Sequence, residues 1–189
     1  MATLIKSVGP IRMRDAYDDH FAALVRSIMF QQLAGAAANA IHGRFLKLFA
    51  DGLSPAAVLA LPEGAMRTAG VSGSKAAAIT DLARKVDDGT VPLEDVDSLS
   101  DDELVARMVQ VRGIGRWTAE MFLIFQLRRL DVWPVDDYGV RKGWSTVHKL
   151  EEPIKPRALQ AEGDRFRPYR SIAAWYCWRV VDTVLPIKP

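Results

Sequence analysis

The sequence predicts an all-α fold, on three observations. Apolar residues recur at helical spacing over most of the 189 residues, helix start and stop signals fall between those runs, and no segment alternates as a strand would. From about Asp19 to Phe49, Phe21, Leu24, Val25 and Ile28 and then Ala37, Ile41, Phe45 and Leu48 predict two helices meeting near Gln32-Leu33-Ala34-Gly35. The alanine-rich run Ala34 to Ala40 is expected to let helices pack closely. Pro55 to Ala60 and Glu63 to Ala69 read as short helical turns, and Gly70 and Gly73 precede a helix over Ser74 to Asp87. Its apolar face carries Ala78, Ile79, Leu82 and Val86.

Ser100-Asp101-Asp102-Glu103 is a capping box, in which serine and glutamate satisfy each other's backbone N–H groups. The helix it starts runs to about Val111, and Gly113 sits where a left-handed residue is expected. A second helix follows from about Gly115 through Leu127, with Trp117, Met121 and Ile124 on related faces. Pro134 stops the helix, and Asp136 or Asp137 can cap the next one, over about Asp137 to Leu150. A loop over Glu151 to Pro156, a short helix over Arg157 to Glu162 and a long one over Pro168 to Thr183 complete the chain.

Composition narrows the function classes. The chain has no apolar run of the roughly 18 residues that a membrane span needs, and its first fifteen residues lack the pattern of a secretory signal. A cytoplasmic protein with no membrane partner is expected. One cysteine, Cys177, forms no internal disulfide, and with three scattered histidines, His20, His42 and His148, it makes neither a zinc site nor a cysteine-held iron–sulfur cluster. Net charge is +2, which alone predicts no polyanion partner. The small basic excess lies in the second half, where residues 101 to 189 carry 15 basic and 12 acidic groups against 10 and 11 before them.

Val109 to Lys142 carries the chemistry. A helix–Gly-Ile-Gly–helix hairpin presents free amides at the start of its second helix, which favour an anion such as a DNA phosphate. The carbonyls of Val109, Val111 and Ile114 can bind a monovalent cation bridging to that phosphate. Such groups position a protein on DNA without reading sequence. The same turn also serves as a plain connection between helices. Asp136 and Asp137 follow some twenty residues later, at a helix start whose amides and dipole favour an ionised carboxylate. Both can be simple N-caps. A carboxylate that projects into a cleft can instead stabilise an oxocarbenium-like sugar or orient a water.

GIGRWTAEMF, WPVDDYGVRKG and PYRSIAAWYCW together resemble the helix–hairpin–helix DNA glycosylase superfamily, and within it the 3-methyladenine DNA glycosylase II branch. SIMFQQLAGAAANAI and MRTAGVSGSKAAAITDLA are similar to further segments of that family, so the resemblance covers most of residues 20 to 182. It implies two interlocked helical subdomains with the active site in the cleft between them. One would be continuous over 31–134, with the hairpin at about 100–127, and the other would join 1–30 to 135–189. The resemblance makes Asp137 the catalytic residue and Leu33, with Gln32 beside it, the wedge that fills the gap left by a flipped nucleotide. It maps the backbone-binding hairpin onto Gly113, Gly115 and Arg116 and the base pocket onto Trp117, Met121, Tyr138 and Trp178.

The implied partner is double-stranded DNA with alkylated bases such as 3-methyladenine and 7-methylguanine, and the implied act is hydrolysis of the N-glycosidic bond in base-excision repair. A purine alkylated at N3 or N7 is cationic, so its glycosidic bond is already weakened, and electron-rich rings can hold it by cation–π attraction. No cofactor is required for that chemistry; a structural Na+ or K+ at the hairpin is the one ion the family implies. A monomer suits an enzyme that scans DNA.

Three departures from the family pattern refine this reading. Members that also cut the strand carry a lysine nucleophile where this chain has Trp117, which implies a monofunctional enzyme that leaves an abasic site. Met121 stands where an aromatic residue is frequent, which implies a wider, adaptable pocket. The early onset of helix implies a compact form without the β-rich front domain of longer relatives. Trp175 reads as core, Cys177 as buried and inert, and Arg116, Arg141, Lys142 and Arg170 as either phosphate contacts or ordinary paired groups. A lesion-binding protein using the same hairpin and wedge without cutting is the alternative, and it would have no need of Asp137.

Overall fold

The computed structural model describes residues 5–6, 8–13, 15–17 and 19–184, the last three for backbone only, and among them the chain is helical with no strand. The helices are α1 (His20–Phe30), α2 (Gly35–Leu46), α3 (Pro55–Leu59), α4 (Ala65–Thr68), α5 (Gly73–Asp87), α6 (Asp101–Met108), α7 (Arg116–Phe125), α8 (Tyr138–Val147), α9 (Pro156–Gly163) and α10 (Arg170–Val184). Two 3₁₀ turns, Val96–Ser98 and Asp164–Phe166, have no counterpart in the sequence reading, since a single turn carries no periodicity to detect.

Side chains cap several helix starts. Asp19, Ser54 and Ser72 accept a backbone N–H at the starts of α1, α3 and α5. Both bonds of the Ser100–Glu103 capping box start α6. The chain divides into two compact units, Ala16–Phe122 and the described residues up to Asp15 together with those from Leu123 onward. The division falls within α7 and near residue 15.

In the first unit, α1 packs on α2 and α5, and α5 on α3. Leu24, Val25, Ile28, Phe45, Ile79, Leu82, Leu104, Met108 and Ile114 are buried there. The alanine run departs from expectation, because only Ala38 is buried and Ala34, Ala36, Ala37 and Ala40 are exposed. Small side chains on all sides give no amphipathic signal, so the period could not say which face turns inward.

In the second unit, α8 and α10 form the main pair. Val140 and Trp144 meet Ala173, Ala174 and Cys177, with Leu159 and Trp133 completing the cluster. Gly143 permits the close approach, since a Cβ there would run into the backbone carbonyl of Cys177. Trp175 is core, as read from the sequence. Burial pushes the Cys177 thiol up to about 12, so it stays a protonated, inert core group.

Candidate active site

The hairpin is built in the first unit. Gly113 adopts φ +78°, the left-handed region, and its missing Cβ faces Ala78 at 3.2 Å. Gly115 has open space where a Cβ would be, so nothing within its own surroundings demands a glycine there, whereas an external backbone approaching the amides would. Ile114 points inward and is buried, anchoring the turn between the two glycines. The preceding helix ends earlier than expected, at Met108 rather than Val111, and Val111 is drawn into the core while Val109 stays exposed.

Three side chains that the sequence reading missed, Asp81, Lys85 and Gln31, hold this turn. Asp81 on α5 accepts the Arg112 backbone N–H at 2.8 Å and the Lys85 ammonium at 3.0 Å. Lys85 also donates to the Gln110 carbonyl. The Arg112 N–H, with Lys85 adding to it, holds the Asp81 carboxyl below its ordinary range against the opposing effect of burial. Gln31 reaches across from the end of α1, its amide donating to the Gly113 carbonyl at 3.0 Å and to Thr118 Oγ1 at 3.3 Å.

Gln31 also begins the segment read as a wedge. The Lys75 ammonium donates to the carbonyls of Met29 and Gln31, both at 2.7 Å, and burial lowers its pKa. Gln32 follows with φ +54°, a conformation costly for a residue with a Cβ. That turn leaves Leu33 40% exposed, unusual for a leucine between two well-packed helices. A strained residue that presents an apolar tip is what a wedge requires.

A cavity of about 580 Å³ lies beside these elements, lined by Arg26, Phe30, Gln31, Trp117, Thr118 and Met121 among others. That volume is within the range of small-molecule sites and admits a purine base. Trp117 is 46% exposed on its wall. Of the residues assigned to the base pocket, Trp117 and Met121 line this cavity, together with Gln32 and Gly113, while Tyr138 and Trp178 belong to the second unit. Arg26 lies with its guanidinium 3.6 Å from the centre of the Phe30 ring, placing a cation in the same cavity. Arg116 donates to Glu120 at 2.9 Å and forms a longer ion pair with Asp102 at 3.9 Å.

Asp137 belongs to the second unit. It is the N-cap of α8, its Oδ1 accepting the Val140 N–H at 2.7 Å, and it is only 7% exposed while Asp136 is exposed. The pair is therefore not two equivalent caps. The Trp178 indole N–H donates to the same Oδ1 at 2.8 Å, and Phe125 lies against Trp178 with ring centres 5.5 Å apart. Tyr138, the first residue of α8, is 63% exposed beside this group. Trp178 thus contacts the carboxylate directly, and Tyr138 adjoins it in the chain. Arg141 donates to the Ile154 carbonyl, and Arg170 pairs with Asp131.

A family model described as HhH-GPD superfamily base excision DNA repair protein matches residues 25–168. DNA-3-methyladenine glycosylase 1 of Schizosaccharomyces pombe is 35% identical over 195 residues, spanning 98% of this chain and 85% of the relative. Among solved structures, a 3-methyladenine DNA glycosylase of the same organism in complex with abasic DNA matches with a TM-score of 0.85 at 33% identity, over 100% of this chain and 93% of the other. A DNA-3-methyladenine glycosidase from Bacillus halodurans matches with a TM-score of 0.88 at 31% identity, over 97% and 84%.

Proposed function

The chain belongs to the HhH-GPD superfamily of base excision DNA repair proteins, and from that premise we propose that it is a monofunctional DNA glycosylase for alkylated bases in duplex DNA. The observation that carries the reading is Asp137, a buried carboxylate held at a helix N-terminus by two donors on one oxygen. A module that only bound lesions would need no more than an exposed cap at this position, whereas Asp137 is buried and takes a second donor.

The chemistry follows from the parts. The lesion is unstacked and turned out of the duplex, because the reacting atom is inaccessible within it. Leu33, projected by the strained Gln32, fills the vacated position. The base enters the Trp117–Met121 pocket, where Trp117 contributes an electron-rich ring to the wall. The C1′–N bond then breaks with its electron pair going to the base, which for an N3- or N7-alkylated purine leaves as a neutral molecule. Asp137 stabilises the positive charge developing on the sugar and orients the water that adds to C1′ and loses a proton. The hairpin amides from Gly113 to Gly115 hold a phosphate in register.

Trp117 supports the monofunctional assignment, since an indole offers no amine to attack C1′. The carbonyls of Val109, Val111 and Ile114 suit Na+ or K+, being hard oxygen donors. Val111 O accepts the Ile114 N–H at 3.1 Å and, like any carbonyl, has a second lone pair for an ion. The protein would act as a monomer in the bacterial cytosol, in keeping with its single buried thiol; no helix among the described residues is long and apolar enough to cross a membrane.

Incubation with methylated duplex DNA tests the reading. Free 3-methyladenine or 7-methylguanine is expected in the supernatant, the strand stays intact until alkali is added, and borohydride traps no protein–DNA adduct. Lesion binding without base release would sink the enzymatic claim, and a trapped adduct would sink the monofunctional one.

A further inference from the structure

We propose that Trp178 is a positioning residue for the Asp137 carboxylate, acting through its indole N–H, and not a wall against which the damaged base stacks. The proposal rests on the assignment of Asp137 as the catalytic carboxylate.

The geometry favours this role in three ways. First, the N-cap bond from Val140 fixes Oδ1 only at one point, and a carboxylate so held still turns about that contact. The Trp178 Nε1 donor reaches the same oxygen from α10, a separate helix 41 residues further along, and the two directions together fix the carboxylate plane. Second, the indole edge that donates is seated against α8. A Cβ on Gly139 would stand 2.7 Å from Trp178 Cδ1 and 3.1 Å from Nε1, so the absence of a side chain there is what admits this edge. Third, Phe125 is tilted 30° against the Trp178 ring at 5.5 Å. That contact braces the indole from one side and keeps its N–H edge directed at Oδ1.

The chemical consequence is specific. Donors to a carboxylate favour its charged form, and a carboxylate with a fixed plane presents its other oxygen in one direction only. A glycosylase that stabilises charge on the sugar gains from both. A base-stacking wall, by contrast, affects binding and the ranking of lesions.

The two roles separate experimentally when Trp178 is replaced with 3-benzothienylalanine, which keeps the bicyclic shape and has sulfur in place of N–H, alongside Trp178→Phe. The readouts are the single-turnover rate of base release and the affinity for DNA holding an abasic-site analogue. Positioning predicts a rate about 10- to 100-fold lower for both variants, the range seen when an outer partner is removed from a functional group, with unchanged affinity. The factor should be equal for a cationic lesion, 7-methylguanine, and a neutral one, ethenoadenine. A wild-type rate for the benzothienyl variant, or a loss confined to one lesion class, overturns the proposal while leaving Asp137 in place. If the wild type releases no base from either lesion, the reading beneath the proposal fails and the proposal falls with it.

Discussion

Asp137 combines a helix cap with the catalytic duty proposed for it. Its helix-capping bond to Val140 would be worth about 1 kcal/mol at an ordinary N-cap, and an exposed aspartate would suffice for it. Burial and the second donor from Trp178 are surplus to that need. Sequence reading could identify Asp137 as a cap and, through the resemblance, as catalytic, but it could not see Trp178 as its partner. The two are 41 residues apart, and an indole carries no signal of whether its face or its N–H edge is in use. Gly139 makes a sharp prediction at this level. Gly139→Ala should lower stability by about 1–3 kcal/mol, because the new Cβ overlaps Trp178 Cδ1 by more than the helix preference of alanine offsets, and base release should slow about tenfold because Trp178 is displaced. A melting curve with a single-turnover assay checks both, and an unimpaired rate would show that the indole seat is dispensable.

The hairpin and the wedge segment are secured from elsewhere in their unit, by Asp81, Lys85, Gln31 and Lys75. None of these was legible as a site residue. Lys75 and Asp81 sit in a helix whose apolar face was read correctly, and their polarity was consistent with a solvated surface. Asp81→Ala removes a charge-assisted bond to the Arg112 N–H and should cost about 1–3 kcal/mol, and it should weaken DNA affinity without changing the rate at saturation. The pH dependence has a definite sign. The Asp81 carboxyl titrates below its ordinary 3.8 in the folded protein, so its stabilisation is complete above that value and disappears as pH falls through the depressed one. Urea unfolding should show the wild type and Asp81→Ala differing at pH 7 and converging towards pH 2. A constant difference would place the stabilisation outside the carboxylate.

Across the molecule, helix identity was legible because apolar spacing and capping residues are local, and the Ser100–Glu103 box needed only four residues to declare itself. Features that depend on distant partners were not. The exposed alanine run, the division of the chain inside α7 and the guanidinium of Arg26 in the pocket all follow from which surfaces meet, and periodicity does not encode that. The account therefore assigns different work to different residues: DNA holding to the hairpin and Leu33, chemistry to Asp137. Comparison of the wild type with Asp137→Asn on duplexes carrying one 7-methylguanine tests that division most directly, scoring binding and free-base release in the same samples. The expected result is retained binding with release slowed by at least about a hundredfold, within the range for loss of a catalytic acid–base group. Equal rates of release from the two proteins would contradict the account.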